Sequence, residues 1–426
     1  MEEPLVVSHQ VSRDPSFAIV KAVAIVFVVL AHAGGPSWLV NAAYLFSVPV
    51  FFICTGYFFN LKYLAAPKTY LWRRCCRIYW PFWAWSVAFL VLHNFFFWTG
   101  LLSEDYGNAI GGVTHPYSWH QFVQNLWSVT FNMSGYDPFI CGSFWFFRTL
   151  FIGSLAFYFL FLLLRRFSSW KAPSAVAGTI LVLSLFLAGW KVLGDVKITG
   201  IAQGGYRELM ALVFMSIGFL YRQYESYLRP KALVAGVGFL VFVVFVWWSP
   251  SSMGYTADFV QFISLPLPVV GAFLALHALA SWISTSDNRL TRGLVYLGER
   301  TLYVFAFHLL AFKLVSVIKV LVYDLPWSHV GGHPVVHDHP DDLFFLLYVL
   351  VGVGLPLLVV VAWKRLDAIY NLTLLNCLKY MGKGLLVFLK FIKLIIIKIA
   401  SWIWKSIKNF FHDMKEFIKA SNPSDE

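Results

Sequence analysis

Two ionisable residues near the start of the chain are suited to acid–base and charge chemistry. Lys21 and His32 lie eleven positions apart in an apolar run, and a helix rising about 1.5 Å per residue would separate them by about 16 Å. Imidazole accepts protons near neutral pH, and ionisable groups in apolar segments are costly enough to suggest function. His32 is therefore a candidate functional residue or an interfacial histidine bonded to a neighbour, and Lys21 by itself is equally consistent with a helix-end anchor.

Four further ionisable residues interrupt or flank apolar segments. Arg148 follows three aromatic residues, where a long side chain can reach the membrane surface. The adjacent Arg207 and Glu208 suit either a surface ion pair or a polar pocket. His308 falls well inside an apolar run, where a structural histidine and a site residue are equally consistent. We keep Arg148, Glu208 and His308 as candidate functional residues.

A compact basic cluster is formed by Arg73, Arg74 and Arg77, next to Tyr79 and Trp80. Basic residues collect in the cytoplasmic loops of membrane proteins, which explains the cluster without any further function. Guanidinium groups also bind phosphate in a bidentate manner. The cluster is thus either a topological anchor or an anion-binding site.

The composition predicts the elements that must position these residues. Of 426 residues, 59% are apolar and 13% are charged, and the mean hydropathy is +0.70, which is too apolar for a soluble core. Apolar runs long enough to cross a bilayer occur about ten times. They lie near residues 17–33, 39–59, 78–99, 143–164, 174–193, 205–221, 232–248, 261–283, 301–322 and 343–363. We expect an all-α polytopic membrane protein with a ten-helix domain over residues 1–365.

The distribution of basic residues predicts the orientation. Most of the 33 lysine and arginine residues fall in segments that share one side of the membrane if the N-terminus is inside. Both termini are then cytoplasmic and the protein lies in the cell membrane. The net charge of +12 is therefore explained by topology, so we expect no nucleic acid partner.

Three segments outside the spans carry further expectations. Two long outer loops are predicted near residues 100–142 and 323–342, and loops of this length often carry function. Residues 370–419 alternate apolar residues with lysines at helical spacing, as in a basic amphipathic helix on the anionic inner leaflet; a partner-binding helix is the alternative. We assign residues 366–426 to this cytoplasmic region.

The second outer loop contains four histidines, which raises the question of a metal site. His329, His333 and His337 recur every four residues, a spacing that could place ligands on one helical face. Gly331, Gly332 and Pro334 oppose a helix there. We therefore expect no metal, and a loop that titrates near neutral pH is the simpler interpretation.

Four stretches together resemble the membrane acyltransferase-3 family, which includes polysaccharide O-acetyltransferases and fucose 4-O-acetylase-like proteins. KAVAIVFVVLAH (21–32) resembles the family's Arg/Lys-x10-His signature, and VPVFFICTGYFF (48–59) resembles its P-x-F-F-x-x-S-G-Y-F-F segment, with Thr55 at the Ser position. FWFFRTLF (144–151) resembles the family's W-F-L-x-x-L-F helix start, with Arg148 as an added charge. LGERTLYVFAFHLL (297–310) resembles its G-x-x-S/T-L-Y-I-Y-x-x-H helix.

This resemblance implies a reaction and gives the scattered residues their roles. Members take an acyl group, commonly acetyl, from cytoplasmic acyl-CoA and place it on a hydroxyl of a cell-surface or lipid-linked saccharide. His32 would then be the general base, and Lys21, Arg73, Arg74 and Arg77 would hold the phosphates of acetyl-CoA or another acyl-CoA. Arg148 or His308 would stabilise the oxyanion, and Glu208 would orient the imidazole. Whether an acyl-enzyme forms is left open, as is the oligomeric state.

A secondary transporter or exporter of a saccharide or small polar solute is the alternative function. Ten spans with buried charges suit a transporter equally well. Transporters commonly show internal repeats, and no convincing repeat relates the two halves of this sequence.

Overall fold

The computed structural model describes residues 14–104, 115–134, 136, 139–167, 172–196, 205–228, 231–254 and 258–370, with the backbone alone at residues 139, 167 and 366–370. These residues form helices and no strand. The predicted amphipathic helix at 370–419 lies outside the described residues except at residue 370. The predicted boundary between 365 and 366 consequently stays a prediction.

Fifteen α-helices run through the described part of the chain. They are α1 (Pro15–Ala31), α2 (Ser37–Tyr57), α3 (Pro67–Arg74), α4 (Trp80–Trp98), α5 (Trp119–Asn132), α6 (Trp145–Phe167), α7 (Pro173–Leu193), α8 (Tyr206–Tyr224), α9 (Lys231–Trp248), α10 (Phe259–Ser264), α11 (Pro266–Ile283), α12 (Arg289–Glu299), α13 (Thr301–Val322), α14 (Ser328–Gly331) and α15 (Phe344–Tyr370).

The prediction of an all-α polytopic membrane protein is confirmed. Each of the ten predicted segments is helical, and eight helices within the described ranges are long and apolar enough to cross a membrane. The other two predicted spans are α1, which has only 17 residues, and α8, which carries Arg207, Glu208 and Arg222. Both helices carry ionisable residues, and α13 and α6 bring further ones into the bundle at His308 and Arg148.

Helix α1 is the central element of the bundle. Apart from Ser16 and Lys21 its side chains are apolar, and Ile19, Val20 and Ile25 are fully buried, as expected of a helix enclosed by others. It packs against α2, α11, α12 and α13. A Cβ added at Gly298 of α12 would meet the backbone of Ala18, so the absence of a side chain there lets α12 approach α1 closely.

The basic cluster lies on a continuous helical segment with an irregular turn. Helices α3 and α4 are joined by a π-helical turn at Cys75–Tyr79, giving a helix over Pro67–Trp98. Single π turns inside α-helices are rare and are frequent at functional sites. Arg73 and Arg74 precede this turn and Arg77 lies in it.

The segment at residues 323–342, predicted to be the second outer loop, is fastened to α13 by buried polar side chains. Lys313 donates to the carbonyl oxygens of Val330 and Gly332 at 2.5 and 2.7 Å. Lys319 forms an ion pair with Asp342 at 2.8 Å. The two intramembrane lysines of α13 are therefore structural partners of the loop.

Candidate active site

The candidate base caps the end of α1. His32 is the C-cap of the helix, and its Nδ1 lies 2.8 Å from the carbonyl oxygen of Val28. Because a carbonyl can only accept, this contact requires the proton on Nδ1 and leaves a lone pair on Nε2. The backbone of α1 thus fixes the tautomer that a general base needs.

A second imidazole lies directly against the first. The rings of His32 and His308 have centroids 5.3 Å apart. His308 is fully buried, and its Nδ1 lies 3.0 Å from the carbonyl oxygens of both Val304 and Phe305. Its Nε2 is buried without a hydrogen-bond partner among the described residues. Both histidines therefore use Nδ1 on their own helix and keep Nε2 as an acceptor.

The His32 side chain lines a small cavity, which we call the histidine cavity. Its volume is about 130 Å³. The polar groups of its wall come from the end of α1, from α2 and α8, and from the segments before α6 and after α9. They are His32, Tyr44, Ser47, Ser143, Arg207 and Ser252. Residues distant in sequence thus surround the imidazole with hydroxyl groups and one guanidinium.

Arg207 and Trp145 form the most organised part of that wall. The Arg207 Nε donates to the carbonyl oxygen of Gly254 at 2.8 Å, and its guanidinium carbon lies 4.2 Å above the Trp145 ring. A guanidinium held by a carbonyl and an aromatic face is preorganised for hydrogen bonding. The guanidinium of Arg207 is therefore held in a fixed orientation in the cavity wall.

A larger cavity lies at the Lys21 end of α1, and we call it the basic cavity. Its volume is about 380 Å³. Four cations line it, and they are Lys21, Arg73, Arg74 and Arg77. All four residues predicted from the sequence to bind phosphate therefore share one cavity.

Tyrosine rings hold two of these arginines. The Arg73 guanidinium contacts the hydroxyl of Tyr63 at 2.5 Å, and that of Arg74 lies 5.1 Å from the Tyr70 ring centroid. Tyr70 is itself buried and donates to the carbonyl oxygen of Ser154 at 3.0 Å. The cluster is consequently oriented into the cavity by aromatic side chains that the sequence pattern did not single out.

Two predicted residues occupy a third cavity, the side cavity, of about 90 Å³. Arg148 is 6% exposed, and the Oε1 of Glu208 accepts from Thr149 at 3.4 Å. Trp145 and Arg207 line both the side cavity and the histidine cavity. Arg148 and Glu208 therefore lie beside the histidine cavity and not in its wall.

These positions change two of the predicted roles. No hydrogen bond or ion pair joins the described side chains of Glu208 and His32, and the Val28 carbonyl orients the imidazole instead. His308 in its neutral form has only an acceptor at Nε2, so it does not supply the donor that an oxyanion needs. Arg207, which the sequence had marked only as part of a polar pair, is the guanidinium in the wall of the histidine cavity.

The histidines of the second outer loop do not converge on one point. His329 contacts Asp338 at 3.5 Å, His333 and His337 have ring centroids 5.1 Å apart, and His339 stacks on Tyr323. Within the described ranges, no group of three or more His, Cys, Asp or Glu side chains is placed to hold a metal ion. Burial lowers the pKa of His333 to about 4, so this loop side chain is neutral at physiological pH.

The loop lies next to the candidate base. A Cβ added at Gly34, two residues after His32, would lie 3.1 Å from the Val335 side chain and 3.9 Å from His337. Gly34 has a φ of +74°, which favours glycine. The second outer loop consequently borders the chain that leaves the histidine end of α1.

Comparison with known families gives one match. A family model described as an acyltransferase domain, that of the acyltransferase-3 family, matches residues 14–364. The curated proteins and the solved structures contain no match to the chain. The matched region contains all three cavities.

Proposed function

The chain belongs to the acyltransferase-3 family, and from that premise we propose that this membrane acyltransferase moves an acyl group, with acetyl as the expected group, from acyl-CoA to a saccharide hydroxyl. The observation that carries the proposal is the distribution of charge along α1. A cation-lined cavity lies at one end of this helix and a carbonyl-locked imidazole pair at the other. A donor with a phosphate-rich head and a distant thioester suits both ends.

The basic cavity suits the head of acyl-CoA. The donor carries a diphosphate and a ribose phosphate, and guanidinium groups form short, charge-assisted hydrogen bonds with such oxygens. Arg73, Arg74 and Arg77 are the proposed partners, with Lys21 deeper along α1. By the positive-inside rule this end faces the cytoplasm, where acyl-CoA is available.

The length of the donor suits the length of α1. The pantetheine arm has about twelve bonds between phosphate and sulfur, equivalent to about four extended residues, and so spans roughly 14 Å. Lys21 and His32 are separated by about 16 Å along the helix. A donor whose diphosphate reaches Lys21 therefore brings its thioester near the imidazole.

His32 is the proposed general base. The acceptor hydroxyl gives its proton to Nε2 while its oxygen forms a bond with the thioester carbonyl carbon. The tetrahedral intermediate collapses, the C–S bond breaks, and the proton passes to the leaving CoA thiolate. Arg207 stabilises the oxyanion, and His308 Nε2 accepts a hydrogen bond from the transient imidazolium.

The proposal is tested with membranes that contain the full-length chain and acetyl-CoA labelled in the acetyl group. Wild type is expected to label the saccharide fraction in an alkali-labile ester, and His32→Gln is not. His120→Gln, an exposed histidine on α5, is the matched control and should label normally. Equal labelling by wild type and His32→Gln would contradict the role of His32.

A transporter gives a different result. Saccharide flux into proteoliposomes without any ester formation from acetyl-CoA would overturn the acyltransferase proposal in favour of transport. Ester formation that requires His32, without flux, supports it.

A further inference from the structure

Phe305 occupies the boundary between the basic cavity and the histidine cavity. It lines both of them, and its side chain is 2% exposed. The backbone of Phe305 is fixed, since its carbonyl oxygen accepts from Ser143 Oγ at 2.9 Å and from His308 Nδ1 at 3.0 Å. Movement at this position is therefore confined to the ring.

Other aromatic rings extend this boundary. Phe146 lines the basic cavity, and its ring centroid is 4.4 Å from that of Phe305. Phe51 also lines the basic cavity, and its centroid is 5.6 Å from that of Phe146. The three rings form one layer, which we call the aromatic partition.

Two helices change cavity at the level of this layer. On α2, Ser47 and Val48 line the histidine cavity while Phe51 lines the basic cavity one turn later. On α6, Trp145 lines the histidine cavity and Phe146 the basic cavity. The two cavities are thus separated by one layer of side chains.

We infer that the Phe305 ring controls passage of the acyl thioester from the basic cavity to His32 and shields the thioester from water on the histidine side. This inference rests on the proposed function, because it gives the donor its route. A thioester beside a general base is open to hydrolysis, in which water oxygen bonds to the acyl carbon, the C–S bond breaks and the CoA thiol takes the proton. Exclusion of water prevents this loss.

The inference predicts opposite effects for smaller and larger side chains. Phe305→Ala joins the cavities, so release of CoA thiol from acetyl-CoA without an acceptor should rise about tenfold. A rise of this size corresponds to a small decrease in the activation barrier for hydrolysis. Phe305→Trp narrows the passage, so saccharide labelling should fall about tenfold or more. The affinity for coenzyme A should change little in either variant, since the basic cluster is intact.

The experiment uses the full-length protein in lipid nanodiscs and three measurements: coenzyme A binding by calorimetry, thiol release from acetyl-CoA, and labelling of the membrane saccharide fraction. Phe307→Ala is the matched control, because Phe307 is on the same helix, is partly buried and lines none of the three cavities. If Phe305→Ala folds poorly, Phe305→Leu takes its place. This variant keeps an apolar side chain and should show a smaller rise in thiol release.

The outcomes separate the two proposals. If wild type labels saccharide but the Phe305 variants match Phe307→Ala in thiol release and labelling, the partition inference is wrong and the proposed function stands. Loss of coenzyme A binding in Phe305→Ala would place the ring in the donor site and also overturn the inference. A wild type that neither binds coenzyme A nor labels saccharide overturns both.

Discussion

The two ends of α1 hold their functional groups in different ways. At the histidine end, backbone carbonyls of α1 and α13 fix the two imidazoles, and His308 is fully buried. At the basic end, Arg73 and Arg77 are exposed, and tyrosine contacts guide Arg73 and Arg74. The side chains at the histidine end are thus held in a fixed geometry, whereas the basic end offers exposed positive charge. Substitutions at the histidine end should therefore change kcat, and those at the basic end should change KM.

The largest effect is expected at the histidine end. His32→Gln removes the proposed proton acceptor, and general-base catalysis contributes about 10²- to 10⁴-fold, so kcat for acyl transfer should fall by that factor. The KM for acyl-CoA should stay within about twofold, since this substitution leaves the basic cavity intact. Steady-state kinetics of wild type and His32→Gln, with His120→Gln as control, checks this. A change confined to KM would contradict the expected difference between the two ends.

A substitution that displaces α1 itself should change the kinetic constants associated with both ends of the helix. A Cβ at Gly298 meets the Ala18 backbone, so Gly298→Ala forces α12 away from α1 and overpacking of this kind costs about 1–3 kcal/mol. We expect a lower melting temperature together with changes in both kcat and KM. Gly293→Ala is the control on the same helix, because nothing lies within 4 Å of its added Cβ. Equal melting temperatures for the two variants would contradict the close packing of α1 and α12.

The basic end should show the complementary effect. Replacing Arg73 and Arg74 together by Gln removes two phosphate partners and should raise the KM for acyl-CoA about tenfold, with little change in kcat. The KM of this double variant should also depend less on salt concentration, because salt screens exposed charges and two of these charges are removed. Arg165→Gln with Arg166→Gln, an exposed pair on α6 outside the cavity, is the control. An identical rise in both double variants would mean that general surface charge, not the cluster, attracts the donor.

The smallest effect concerns the loop beside the histidine end. His333 has a folded pKa of about 4 because of burial, below the ordinary value of about 6.5. The contribution of His333 to the free energy of unfolding is therefore fully present above about pH 6.5 and is lost as the pH falls towards 4. The melting temperature should decline over this range, and His333→Gln should reduce the decline, whereas His339→Gln, which is exposed, should not. The same pH profile in all three proteins would exclude His333 as the responsible group.

The sequence predicted most of the fold because apolar run length dominates helix formation in a membrane. It also placed Lys21 and His32 correctly on one helix, since their relation depends only on helical rise. The amphipathic α5 and α12 were not predicted, because their shorter mixed stretches resemble loops. A capping box at Ser118 and Gln121 was the available signal for α5.

The candidate site was predicted less completely because its walls come from segments that only folding brings together. Tyr44, Ser143 and Arg207 meet around His32 although they come from distant parts of the chain. The pairing of His32 with His308 joins the first and a late helix, and no spacing rule relates them. The separation of Glu208 from His32 likewise depends on how α8 is turned, which the sequence pattern does not determine.

The direction in which the basic cluster points depends on the number of residues in the π turn at Cys75–Tyr79 as well as on the residue types. A π turn contains one residue more than an α-helical turn, so a single deletion within it would restore regular α-helix. The arginines before the turn would then rotate by about 100° relative to α4, the angle of one residue in a helix of 3.6 residues per turn. A frame-preserving codon loss would thus turn the proposed phosphate-binding arginines away from their cavity while every remaining side chain kept its identity.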